Sequence, residues 1–169
     1  MASKSVRAYI AGFLDGDGSI IFQIVRRLDY RLGFQIRASI CFYQNKSGIE
    51  GLRWLTKHLC RGTIRERAGR MCDLTIVGTE AVAEILIMVR PFVIFKRRQV
   101  EAGIKLISVL SEMKRSDPGD FQAAADLVDR FARLNYSKNR TITAHVVREH
   151  LALQRREANQ RITESTQHC

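Results

Sequence analysis

From Phe34 to Phe42 apolar and polar residues alternate without a break. Phe34, Ile36, Ala38, Ile40 and Phe42 share one parity; Gln35, Arg37, Ser39 and Cys41 share the other. Period two over such a length dictates a strand in a sheet with one buried and one solvated face. A chain containing it needs partner strands and an apolar layer to cover the inner face.

Both are present. A second strand fits Ile20–Arg27, joined to Phe34–Tyr43 by the loop Arg26–Gly33, whose Asp29 and Gly33 suit a hairpin. A second hairpin fits Thr63–Arg67 and Cys72–Val77, with Ala68–Met71 as its turn and Ile64, Leu74 and Ile76 facing inward. Helical spacing occupies the intervals: Val6–Asp15, ended by Gly16 and Gly18; Ser47–Leu59; and Thr79–Val89, with Thr79 as cap and Pro91 stopping it. Three more helices follow, over Phe95–Lys114, over Pro118–Leu134 behind the cap Asp117, and over Ala144–Gln160. The order is αββαββα and then more helix. It predicts an α+β fold, with one four-stranded antiparallel sheet covered by helices on one side. A single domain is expected: a core over about 6–134, a loop and helix over about 135–160, and a tail over 161–169.

The composition narrows the partner. Lys and Arg number 28 against 17 Asp and Glu, a formal charge of +11, which calls for a polyanion. The four cysteines at 41, 60, 72 and 169 show no CxxC spacing, so neither a zinc site nor a disulfide framework is expected. No apolar run reaches the roughly 18 residues of a membrane span. No signal-peptide pattern opens the chain. The outward sheet positions then favour nucleic acid over a membrane. They are Gln23, Val25, Arg27, Gln35, Arg37, Ser39, Cys41, Arg65, Arg67, Asp73 and Thr75, with Tyr30 in the connecting loop. Arg pairs with guanine and Gln with adenine in the major groove, which admits a two-stranded ribbon. The stretch 135–141, with Ser137, Lys138 and Arg140, suits phosphate oxygens.

The segment Ala11-Gly12-Phe13-Leu14-Asp15-Gly16-Asp17-Gly18 remains to be explained. Asp15 and Asp17 offer hard oxygen ligands for Mg²⁺. On a continuous helix they would point roughly 200° apart. One carboxylate is therefore expected to bond locally near the helix end, leaving the other free for metal. Gly12 and Gly16 lie on one side of the helix and would let two copies cross closely about a two-fold axis.

Tyr9 to Gly18 resembles the defining motif of the LAGLIDADG homing endonucleases. The resemblance extends through Phe42-Tyr43-Gln44, Pro91-Phe92 with Lys96 and Gln99, and Leu134-Asn135 with Ser137-Lys138. The motif occurs once, as in the intron-encoded homodimeric group. The resemblance implies a site-specific double-strand DNA endonuclease that hydrolyses a long pseudo-palindromic target, leaves 3′ overhangs and promotes intron mobility. It implies Asp17 and the Gly16 carbonyl as metal ligands, Gln44 and Lys96 as catalytic groups, and Gly12, Phe13 and Gly16 at the dimer interface. Mg²⁺ is the implied cofactor, with Mn²⁺ able to replace it and Ca²⁺ binding without cleavage. The implied partners are double-stranded DNA and a second copy, with no membrane. Localisation follows the host: an organelle for an organelle intron, otherwise a prokaryotic cytoplasm. Some relatives carry a second basic residue where this chain has Gly48; Lys46 is the candidate substitute. That departure keeps open a binding protein without cleavage, such as an intron maturase or a DNA-binding regulator.

Overall fold

The structure, a computed structural model, describes residues 3–135 and 140–166. In chain order it contains α1 (Lys4–Asp17), β1 (Gly18–Arg26), β2 (Phe34–Asn45), α2 (Ile49–Leu59), β3 (Thr63–Glu66), β4 (Met71–Val77), α3 (Thr79–Val89), α4 (Arg97–Glu112), α5 (Pro118–Ala132) and α6 (Ala144–Thr166). A single 3-10 turn, Lys46–Gly48, separates β2 from α2.

The strands form one antiparallel sheet in the order β1-β2-β4-β3. The predicted parity is the observed one. Ile20 pairs with Ile40, Phe22 with Ala38 and Ile24 with Ile36 across β1 and β2. Ile40 pairs with Ile76 and Phe42 with Leu74 across β2 and β4. All nine of these side chains are buried, beneath α1 to α5. A single apolar core results; Phe22 meets Phe131 of α5 edge to face, with centroids 4.7 Å apart. The last helix, α6, packs on α5.

Several boundaries differ from the sequence reading, each for a local reason. The first helix does not stop at Asp15 but runs through Gly16 to Asp17, and β1 begins at once. Gly18 makes that transition sterically feasible: a Cβ there would lie 2.6 Å from Leu14 Cδ1 and 2.8 Å from the Leu14 carbonyl oxygen. Gly78, not Thr79, is the N-cap of α3, with no side-chain cap. The fourth helix begins at Arg97, not Phe95, because residues 94–96 are engaged elsewhere, as described below. It ends at Glu112. The helix Pro118–Ala132 is two residues shorter than expected and α6 six longer. Asp117 caps α5 as expected, accepting the Asp120 amide at 2.8 Å.

Gly18 couples the fold to the motif. Gly18→Ala should destabilise the protein by about 1–3 kcal/mol, because the new methyl group meets backbone that cannot move aside. Urea unfolding of the variant against wild type measures this; an unchanged midpoint would contradict it.

Candidate active site and nucleic-acid interface

The two aspartates of the motif part company. Asp15 turns to the start of α4. Its carboxylate accepts the backbone amides of Ile94 at 2.6 Å, Phe95 at 3.2 Å and Lys96 at 2.9 Å. Lys96 returns the contact, donating Nζ to the Asp15 carbonyl at 2.6 Å. Asp15 is thus structural, but the terminus it holds belongs to α4 and not to its own helix. Lys96 reaches the same helix end as Asp17.

Asp17 is exposed at the last position of α1. Gln44 Nε2 donates to its Oδ2 at 3.2 Å, so two of the expected catalytic residues meet. The Gln44 amide oxygen accepts the Asn45 amide at 3.2 Å, which fixes the orientation of the side chain. Gly48 bears on the same residue: a Cβ there would stand 3.0 Å from Gln44 Oε1. Lys46 does not join this cluster. Its ammonium pairs with Glu66 of β3 at 2.8 Å, and that contact lowers the Glu66 pKa. Its role as a substitute for a basic residue at position 48 is therefore not supported by its placement.

The donor set at Asp17 suits a hard divalent cation. The last carbonyls of a helix have no intrahelical partner and carry the negative end of its dipole. The Leu14 carbonyl is taken by the Gly18 amide and the Asp15 carbonyl by Lys96. The Gly16 carbonyl follows in that turn. Among the described residues no group of three or more His, Cys, Asp or Glu could hold a metal. An ion held by the Asp17 carboxylate and the Gly16 carbonyl would draw its remaining ligands from elsewhere.

The open face of α1 supplies room for the rest. A Cβ at Gly12 or Gly16 would meet nothing within 4 Å, and the same holds for Gly51 of α2. A groove lined by Tyr9, Gly12, Phe13, Asp17, Gln44, Gly48 and Gly51 runs along it. Phe13 is half-buried, its ring 5.6 Å from that of Phe42.

The outer face of the sheet is partly as expected. Gln23, Arg37 and Arg65 are exposed, and Val25, Gln35 and Thr75 are half-buried. Arg27 is held by Asp29 at 2.6 Å and stacks on Tyr30, 4.9 Å from the ring centroid. Asp73, Ser39 and Cys41 are corrections: they share the outward parity but are buried. Arg67 and Thr75 cover Asp73. Arg67 donates Nε to Asp73 Oδ1, and Thr75 donates its hydroxyl to Oδ2 at 2.6 Å. Burial opposes ionisation of Asp73, yet these bonds and the neighbouring charges of Arg67 and Arg65 outweigh it and lower its pKa. Tyr43 lies beside this network under Arg67, with the guanidinium 5.8 Å from its ring; burial foremost raises its pKa. Tyr43 was not among the expected contacts, although its parity, two residues beyond Cys41, marks it. Arg140 pairs with Asp129 at 2.8 Å. Ser137 and Lys138 lie outside the described residues.

Residues 10–93 match the LAGLIDADG endonuclease family. Over 142 residues the chain is 37% identical to the DNA endonuclease I-CvuI of Chlorella vulgaris, spanning 84% of this chain and 87% of that protein. The chain belongs to the LAGLIDADG endonuclease family. It is also 32% identical over 146 residues to the DNA endonuclease I-CreI of Chlamydomonas reinhardtii, spanning 86% of this chain and 88% of that protein. The crystal structure of the homing endonuclease I-CvuI with its target and Ca²⁺ superposes with a TM-score of 0.82 at 35% identity, covering 88% of this chain and 93% of that one. The same relative has been crystallised on the I-CreI target with Mg²⁺, its DNA uncleaved. The α+β architecture and the LAGLIDADG motif of this chain are those of its family.

Asp73 gives this face a pH dependence. Its folded pKa lies below the unfolded value of about 3.9, so its contribution is complete above that value and is lost as pH falls through the folded pKa. Asp73→Asn should therefore lower stability at pH 7 by about 1–3 kcal/mol. The deficit should shrink as pH falls below about 4. Urea titrations at a series of pH values test this; a deficit constant down to pH 2 would contradict it.

Proposed function

We propose that this chain is a homing endonuclease: as a homodimer it hydrolyses both strands of a long pseudo-palindromic DNA site, requires a divalent metal, and leaves short 3′ overhangs that promote intron mobility. The observation that carries the reading is the contact between Gln44 and Asp17 at the open end of α1, 3.2 Å long and next to the Lys96 anchor. The family relatives I-CvuI and I-CreI are DNA endonucleases, and I-CvuI has been crystallised on DNA with Ca²⁺ and with Mg²⁺.

Asp17 and the Gly16 carbonyl would hold the ion, with a second copy and DNA phosphates completing its shell. A divalent cation there supplies activation of water and neutralisation of charge on the phosphate. Mg²⁺ suits these oxygens, Mn²⁺ can take its place, and Ca²⁺ supports binding without cleavage. Gln44 orients Asp17 and presents its amide to water at the scissile phosphate. Lys96 brings a fixed positive charge to the helix end where negative charge accumulates. No side chain here needs to act as a lone general base. Two α1 helices crossing at Gly12 and Gly16 would set two Asp17 carboxylates side by side, one for each strand. The sheet face, with Arg37 and Arg65 most exposed, reads base edges in the major groove. Gly48, the feature that kept a non-cleaving protein in view, has a steric account: it leaves room for Gln44.

The test is cleavage of a randomised target library in plasmid form with Mg²⁺. Wild type should linearise a defined subset, and Asp17→Asn should bind that subset without cutting it; full cleavage by Asp17→Asn would overturn the metal assignment. On the selected target, Arg37→Ala and Arg65→Ala should each cost about 1–3 kcal/mol of discrimination at particular base pairs. Equal losses at every position of the site, measured by competition binding, would remove the sheet from the reading surface.

A further inference from the structure

The loop between β1 and β2 presents Arg27 and Tyr30, and its backbone is closed on itself. The Tyr30 amide donates to the Arg27 carbonyl at 3.0 Å, the Gly33 amide to the Tyr30 carbonyl at 2.8 Å, and the Arg27 amide to the Gly33 carbonyl at 2.9 Å. Arg27 also bonds Gln35 at 3.3 Å. All of these bonds lie within the hairpin. They set its shape; its pose on the rest of the molecule rests on Leu32, which is buried in the core, and on the contacts at Gly33 and Phe34.

His150 of α6 reaches the base of this loop from outside. Its ring meets Phe34 edge to face, with centroids 5.1 Å apart and planes at 85°. It stands over the Gly33 α-carbon, so close that a Cβ there would be 3.1 Å from His150 Nε2. Gly33 is also the residue at which the loop turns back, with φ of 74°, in the left-handed region that favours glycine. Phe34 is itself fully buried, stacked on Phe121 of α5, with the Arg26 guanidinium over its ring at 5.2 Å. The hairpin base is thus clamped between the core and one side chain.

That side chain is a poor choice for filling space alone. Nε2 is buried, and among the described residues it has no hydrogen-bond partner. Burying a polar nitrogen without a partner is unfavourable, and an aliphatic residue would avoid it. What the ring adds is reach across to Gly33. The helix that carries it is firmly seated: the Ala144 amide bonds Asp129 of α5 at 3.1 Å, and Gln122 of α5 bonds the Ala144 carbonyl at 3.1 Å. From that anchor α6 spans nearly two turns to His150.

We infer that His150 is a positioning residue for DNA recognition: it braces the base of the β1–β2 hairpin against α6, so that Arg27 and Tyr30 meet the DNA in one pose. The brace follows from the geometry alone; its effect on recognition rests on the function proposed above. Two measurements separate the parts. The first is amide hydrogen exchange across residues 27–33 in the free protein. His150→Ala should exchange there at least about tenfold faster than wild type, and His150→Gln, which restores a side chain of similar reach, should return it towards wild type. Should the alanine variant fail to fold, His150→Leu, which covers Phe34 but withdraws from Gly33, should show the same acceleration. Unchanged exchange overturns the brace.

The second measurement is position-resolved selection on the target library. His150→Ala should lose selection at the base pairs where Arg27→Ala loses it, and keep it where Arg37→Ala loses it. A uniform loss across the site overturns the positioning role. A wild-type chain that selects no DNA site overturns the proposed endonuclease instead, while the exchange comparison still decides the brace.

Discussion

The capture of the 94–96 backbone by Asp15 is the contact on which the site depends. One carboxylate takes three amides, and the Lys96 ammonium closes the pair by bonding the Asp15 carbonyl. Charge-assisted bonds of this kind are stronger than neutral ones. They weld the end of α1 to the start of α4, two elements some eighty residues apart in sequence. With Asp15 committed, Asp17 has no competing duty. It remains exposed at the helix end, and Gln44 is the side chain that steadies it. A basic chain could easily neutralise a lone surface carboxylate with one of its many cations. Here Lys96 is occupied by the Asp15 carbonyl and Lys46 by Glu66.

The sheet face follows the same logic. Surface arginines left free would be mobile and costly to order on binding. Asp73 holds Arg67, and Asp29 holds Arg27, each through a carboxylate that strengthens as an anchor when ionised. The acidic residues on this basic surface therefore serve to preorganise cations. Preorganisation favours binding by lowering the ordering cost at the moment of contact.

Much of this was legible in the sequence, because two signals are local. Period-two alternation in Phe34–Phe42 determined the strand faces, and the register Ile20–Ile40–Ile76 follows from it once the hairpins close. The family resemblance named Asp17 within the motif and Gln44 beyond it, and the fold brings the two into contact. What stayed hidden depends on partners distant in sequence. Nothing near Asp15 announces that its donors lie at 94–96, so the start of α4 was misplaced. Asp73 has outward parity, and parity alone cannot show that Arg67 and Thr75 will close over it. Lys46 sits two residues from Gln44, but the turn after β2 swings it towards Glu66. Adjacency in sequence was a poor guide to adjacency at the site.

Gly48 illustrates how a departure from a family pattern should be weighed. Taken as a missing cation, it argues for a weakened site. Taken with its surroundings, it is the position where any side chain would press on the Gln44 amide oxygen at 3.0 Å. That oxygen is held by the Asn45 amide, and the opposite end of the same amide group reaches Asp17. A side chain at position 48 would therefore require Gln44 to give by a few tenths of an ångström. The chain has kept the pose that links Gln44 to Asp17. Under the proposed function, the balance of charge around the phosphate would then fall to Lys96, to a second copy and to the metal.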